Sequence, residues 1–178
     1  MLNWLSSDIF LIRRLKHGDS DAFGKLYLKY LDSIYRYIYF RVGQKQELAE
    51  DLSETVFTKA WENITKFKEH RGTLKAWLYM IAKNVVVDHY RKAKPTIALD
   101  ENITGVNSVI ETEIEKNEDI RQLMSCLNQL TTEQKQVITM KYIEDMSNQE
   151  IAQILNKQED AVRALQHRAL QKLRELLK

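Results

Sequence analysis

Apolar residues recur three or four positions apart along most of the chain, the period of amphipathic helices, and no stretch alternates as a strand would. Ile9, Ile12 and Leu15 mark a short first helix ending at Gly18. Ser20 or Asp19 caps a second, whose stripe is Phe23, Leu26, Tyr27, Tyr30, Ile34 and Ile38 and which Gly43 stops. A third turns Leu48, Leu52, Val56, Ala60 and Ile64 inward, and a fourth begins near Thr73 and buries Leu74, Trp77, Leu78, Ile81, Ala82 and Val85. From Pro95, the only proline, to about Asn117 the period disappears among Gly105, several Asn, Ser and Thr residues and then acids, which reads as a linker. Ile120, Leu123, Met124, Leu127 and Leu130 start a further helix that, with one from Val137 to Ile143, supports the C-terminal hairpin. The pattern predicts an all-α chain of two small helical domains joined by a flexible linker.

That hairpin is the most specific local signal. Ser147 can cap a helix and Glu150, three residues on, can return to the N–H of the cap, with Ile151, Ala152, Ile154 and Leu155 following. The helix ends at Asn156, a residue that tolerates the left-handed conformation. After three polar residues Ala161, Val162, Leu165, Ala169, Leu170 and Leu173 form the apolar face of another helix. Two helices joined by so short a turn are the helix-turn-helix arrangement, whose second helix enters the major groove of DNA. Its outward side carries Arg163, His167, Arg168 and Lys172, a cationic face; an ordinary hairpin with a solvated basic face is the blander alternative.

Composition narrows the function. With 44% hydrophobic and 29% charged residues in 178, the chain is globular. Its longest aliphatic run is Val85-Val86-Val87, and Arg13, Arg14 and Lys16 follow the first apolar residues, the reverse of a secretory signal. A cytoplasmic protein with no membrane insertion is expected. The single cysteine, Cys126, excludes an intrachain disulfide and suits a small core position. His17, His70, His89 and His167 show no metal-ligand spacing, there is no glycine-rich phosphate loop, and Asp88-His89 are helix neighbours that cannot act as a dyad. Neither catalysis nor a cofactor or metal is expected. The net charge of +2 conceals segregation: residues 66–94 hold eight Lys or Arg against Glu69 and Asp88, net +6, and residues 100–119 hold seven acids against Lys116, net −6.

Two surfaces in the first half follow. The third helix presents Glu47, Glu50, Asp51 and Glu54, acids that also favour the positive end of a helix dipole. The other side of the fourth helix offers Lys75, Tyr79, Lys83, Asn84, Tyr90, Arg91, Lys92 and Lys94, and the loop before it adds Lys66, Lys68 and Arg71. Basic groups neutralise phosphates, and aromatic faces and amides hold unstacked bases, so this face suits single-stranded or locally opened nucleic acid. Asp88 is expected to pair with Lys92 one turn on.

With both surfaces in view, the chain resembles a bacterial RNA polymerase sigma factor of the extracytoplasmic-function type over nearly its full length. The resemblance rests on Gly18-Asp19, Ala22-Phe23, Leu26-Tyr27 and Tyr30; on Ala49-Glu50-Asp51-Leu52, Val56-Phe57 and Ala60-Trp61; and on Trp77-Leu78, Ile81-Ala82-Lys83-Asn84, Asp88 and Arg91. The hairpin adds Leu130, Lys141-Tyr142, Ser147 and Glu150-Ile151-Ala152 through Leu155. It implies a four-helix promoter-melting domain over residues 1–94, a linker over 95–118 and a helix-turn-helix domain over 119–178. The first would bind core RNA polymerase through Glu50, Asp51, Leu52, Glu54 and Phe57. It would open promoter DNA at the −10 element with Lys68, Arg71, Lys75, Tyr79, Lys83, Asn84 and Arg91. The second would hold the −35 element with Arg163, Ala164, His167, Arg168 and Lys172. The family also implies an anti-sigma factor as partner.

Two places depart from the family pattern. Glu54-Thr55 stand where Gln and an acid usually precede Val-Phe, and Gln158-Glu159-Asp160-Ala161-Val162-Arg163-Ala164-Leu165 replaces the usual Pro-x-Gly-Thr-Val-Lys/Arg-Ser-Arg. A helix-turn-helix repressor or activator, and a helical adaptor for acidic proteins, are the competing classes. A repressor of duplex DNA needs neither the acidic helix nor the basic-aromatic one.

Overall fold

The computed structural model describes residues 3–68, 70, 72–93 and 125–177. The chain divides into two compact units, one of residues 1–42 and 46–95 and one of residues 43–45 and 96–178. The linker, Lys94, Ile120, Leu123 and Met124 lie outside the described residues.

The first unit is built from α1 (Asn3–Lys16), α2 (Ser20–Arg41), α3 (Gln46–Asn63), a 3₁₀ turn (Ile64–Lys66) and α4 (Leu74–Ala93). Gly18, at φ +77, makes the bend out of α1 that an L-residue resists. Asp19 then caps α2 by accepting from the Ala22 N–H at 3.0 Å and from Arg14 Nε at 2.6 Å. The Arg14 hydrogen bond, followed by that of Ala22, holds the Asp19 carboxyl below its ordinary range. Gly43, at φ 69, and Gln44, at φ 61, turn the chain from α2 towards α3. At the start of α4 the Thr73 hydroxyl accepts from the Ala76 N–H.

Ile12 and Leu15, Leu26, Ile34 and Ile38, Val56 and Ala60, and Leu74, Leu78, Ala82 and Val86 interdigitate as the core. The inward stripe of α2 is wider than its periodicity predicts, because Tyr37 and Tyr39 are buried too. Ile9, expected inside, is exposed, and Trp77 is only half-buried, tilted against Phe67 at 5.3 Å. Edge-on ring pairs, Phe23 with Trp61 and Tyr27 with Phe57, join α2 to α3.

In the second unit residues 125–128 are helical, and α5 (Thr132–Ile138) runs into a π turn (Thr139–Ile143). The expected start at Val137 is therefore too late: Thr131 and Gln134 form a capping box six residues earlier, a T-x-x-Q signal that the apolar period overshadows. Helices α6 (Asn148–Leu155) and α7 (Glu159–Leu176) complete it. Ser147 and Glu150 form the predicted capping box. Asn156 sits at φ 55, ψ 48, and the bonds from Asn156 N to Gln153 O and from Lys157 N to Ala152 O make this a Schellman end.

Three connections fix the angle between these helices. Val137, Met140, Met146, Ile151, Ile154, Val162 and Leu165 are buried together with Cys126, Leu127, Leu130, Ile138, Ala169 and Leu173, so Cys126 is the core residue expected of it. Gln166 Nε2 donates to Asn148 Oδ1 at 2.8 Å, tying α7 to the first turn of α6. Lys157 in the turn pairs with Glu133 of α5 at 2.6 Å.

Candidate nucleic-acid interface

Burying Val162, Leu165, Ala169 and Leu173 directs the other side of α7 outward. Arg163, Ala164, His167, Arg168 and Lys172 are all exposed there. With 3.6 residues per turn, Arg163 and His167 fall one above the other, Ala164 and Arg168 follow around the face, and Lys172 lies at its flank. Arg168 and Lys172 border a shallow groove with Gln129, Thr131, Gln134, Gln171 and Glu175, a polar lining of mixed charge. Arg163 has company that the sequence reading missed. Its Nη1 donates to Asp160 Oδ1 at 3.0 Å and its Nη2 to Glu159 Oε2 at 3.3 Å. Acids three and four residues before an Arg on a helix were the available signal.

The basic surface of the first unit departs more from expectation. Tyr79 is completely buried: its ring meets Tyr37 edge-on at 5.1 Å and its hydroxyl donates to the Ser33 carbonyl at 3.3 Å. It is a core residue and presents no face to a base, which corrects its assignment to the melting surface. The physical reason is that α4 packs against both α2 and α3, so its buried arc is broad. Lys75 and Lys83, one turn either side of Tyr79, are half-buried along the same strip. Asn84 and Arg91 lie on a separate exposed strip, and Lys68 is exposed in the preceding loop. Arg71 is outside the described residues. Asp88 pairs with Arg91 at 3.0 Å and reaches Lys59 at 3.9 Å, in place of the expected Lys92. Tyr90 is half-buried, and loss of solvent raises its phenol pKa despite the nearby Arg41.

On α3 the acids Glu47, Glu50, Asp51 and Glu54 are exposed together. Leu52 and Phe57, which the resemblance put beside them as contact residues, are core, at 9% and 2% exposure; for Leu52 this is the inward position that the apolar period predicts. The α3 surface open to a partner includes the carboxylates with Thr55, Thr58 and the exposed edge of Trp61, while Phe57 holds Tyr27 from beneath. Glu50 accepts from Gln46 Nε2 at 3.0 Å, and its charge adds to the loss of solvent that raises the Tyr35 phenol pKa. Among the described residues no group of His, Cys, Asp and Glu is placed to hold a metal ion, and no helix is long and apolar enough to cross a membrane.

A helix-turn-helix unit with a cationic outer helix and a separate helical unit with acidic and basic faces have the architecture of a helical DNA-binding protein. Comparison with known proteins narrows this class. Residues 26–96 match the family model described as Sigma-70 region 2, and residues 120–173 match Sigma-70, region 4. The ECF RNA polymerase sigma factor SigW of Bacillus subtilis is 32% identical over 94% of this chain and 95% of its own length. The ECF RNA polymerase sigma factor BldN of Streptomyces coelicolor is 34% identical over 94% of this chain, which spans 64% of BldN. The chain belongs to the ECF RNA polymerase sigma factor family. Its fold is similar to that of CnrH solved with the cytosolic domain of CnrY, at 24% identity and a TM-score of 0.73 over 96% of each chain. It is also similar to RpoE solved with the anti-sigma factor NepR from Bartonella quintana, at 24% identity and a TM-score of 0.71 over 87% of this chain and 96% of that one.

Proposed function

We propose that this chain is the subunit that directs bacterial core RNA polymerase to promoters, working in the cytoplasm. Residues 1–94 bind the polymerase and open the −10 element, residues 119–178 hold the −35 element, and residues 95–118 join them. The observation that carries this reading is the pairing, in one chain, of a helix-turn-helix with an exposed cationic helix and a separate bundle whose α3 displays four acids along its N-terminal half. A repressor acting on duplex DNA alone has no use for the second feature.

Within that reading Glu50, Asp51 and Glu54 form the polymerase contact. Lys68, Arg71, Lys75, Lys83, Asn84 and Arg91 supply the phosphate and base contacts at the melted −10 region. Asn84, exposed in the middle of α4 where Asn is a poor helix former, offers both a donor and an acceptor to a flipped base. On α7 Arg163, Ala164, His167 and Arg168 face the −35 major groove and Lys172 a phosphate. The solved relatives CnrH and RpoE are each held by a second protein, which supports control of this chain by an anti-sigma factor that covers its surfaces. The test is co-purification with core polymerase from a bacterial lysate. Recovery of the polymerase subunits with the wild-type chain supports the reading, and recovery of DNA without polymerase overturns it in favour of a repressor or activator.

A further inference from the structure

The start of α7 joins opposite charges on a surface read here as facing base pairs. Glu159 and Asp160 open the helix, and both accept hydrogen bonds from the Arg163 guanidinium, with side-chain exposures of 44%, 90% and 60%. Together the three carry a net charge of −1, which opposes approach to phosphates. As a phosphate grip the arrangement is poor. It matches something else: in the major groove a G·C pair presents two acceptors, guanine N7 and O6, beside one donor, the cytosine amino group.

We propose that Asp160 and Arg163 together read one G·C base pair, Arg163 donating to guanine and Asp160 accepting from the N4 amino group of its cytosine. This inference rests on α7 lying in the groove as described above. A guanidinium has five N–H donors and the two acids occupy one each, so three remain for guanine without breaking either ion pair. Asp160, the more exposed acid, lies between Arg163 and Ala164 around the helix, at the middle of the open face. Glu159 lies on the far side of Arg163, where it orients the fork and acts as a positioning residue. An A·T pair offers no adjacent pair of acceptors to the fork and leaves the acid facing a thymine oxygen.

The reading differs from that of a cationic helix in its consequences. Removing an acid from a phosphate grip raises affinity for all DNA. Removing Asp160 from a base-pair reader also erases a preference. The test is selection from a randomised duplex library by the holoenzyme carrying wild-type, Arg163→Ala, Asp160→Ala, Asp160→Asn or Glu159→Gln chain, at two salt concentrations. Each changed side chain is on the surface, and helical content by circular dichroism checks that the variants fold.

The wild-type holoenzyme should enrich a G·C pair at one position by about 10-fold over the other pairs, within the range of a good bidentate contact. Arg163→Ala and Asp160→Ala should each flatten that same position, Asp160→Asn, which keeps an acceptor oxygen, should retain part of it, and Glu159→Gln should weaken it less than Arg163→Ala does. If Asp160→Ala raises binding to every sequence alike and leaves the preference intact, the acid is only a repulsive screen and the inference fails. If Arg163→Ala changes preference at a position where G·C was never favoured, the groove reading stands and this inference fails. If the chain forms no holoenzyme, the proposed function itself fails.

Discussion

Tyr79 shows what a single residue decides in this fold. A phenol at i+4 between two lysines has the spacing of a nucleic-acid face, yet its ring fills the space between α2 and α4 against Tyr37. Tyr79→Ala should therefore cost about 3 to 5 kcal/mol of stability, as large aromatic deletions in cores do, and Tyr79→Phe about 1 kcal/mol for the bond to Ser33. Denaturant unfolding followed by helicity measures both, and a Tyr79→Ala chain as stable as wild type would contradict the burial. Asp19 sets a pH dependence. Because its folded pKa is lowered by Arg14, its contribution is present above the unfolded value of about 3.9 and is lost as pH falls through the lower folded one. Thermal midpoints between neutral and acid pH should fall less steeply for Arg14→Ala than for wild type; parallel curves would contradict the pairing. The sequence carries no mark distinguishing Tyr79 from an exposed tyrosine, since that depends on how many neighbours α4 has. The cap at Asp19, a local arrangement, was legible.

At the level of elements, the helix-turn-helix was readable almost to the residue because its signals are local. Ser147 and Glu150 close one end of α6, Asn156 the other, and the period of α7 separates its two faces. Asn156→Ala should weaken this unit by about 1 kcal/mol, the cost of the left-handed conformation for an L-residue, while Asn156→Gly should not. Hydrogen exchange of the α6 amides distinguishes them, and equal protection in both variants would remove the conformational argument. On α7, Lys172→Ala should weaken binding to all duplexes alike and lower the salt slope by about one unit. A change of base preference on removing Lys172 would contradict its flank position. Elements whose packing has two sides were harder to read. Phe57 of α3 and Lys75 and Lys83 of α4 fall into place only once both neighbouring helices are known, whereas the apolar period already turned Leu52 inward. The π turn at Thr139–Ile143 had no sequence signal that we recognise.

At the level of the whole molecule, the account needs the chain to hold two partners at once: acids on α3 for the polymerase, cations on α4 and α7 for DNA. Asp51→Arg reverses one exposed charge in the acidic patch without touching the core. It should cut core-polymerase binding by about 10-fold or more, within the range seen when a close charge pair across an interface is broken, while leaving the isolated chain's affinity for duplex DNA unchanged. The most direct measurement is run-off transcription from fragmented genomic DNA by core polymerase with the purified chain, wild type or Asp51→Arg. The account predicts discrete transcripts that appear only with the wild-type chain and whose start sites share two upstream sequence blocks. Transcripts identical in number and start site with and without the chain would contradict it.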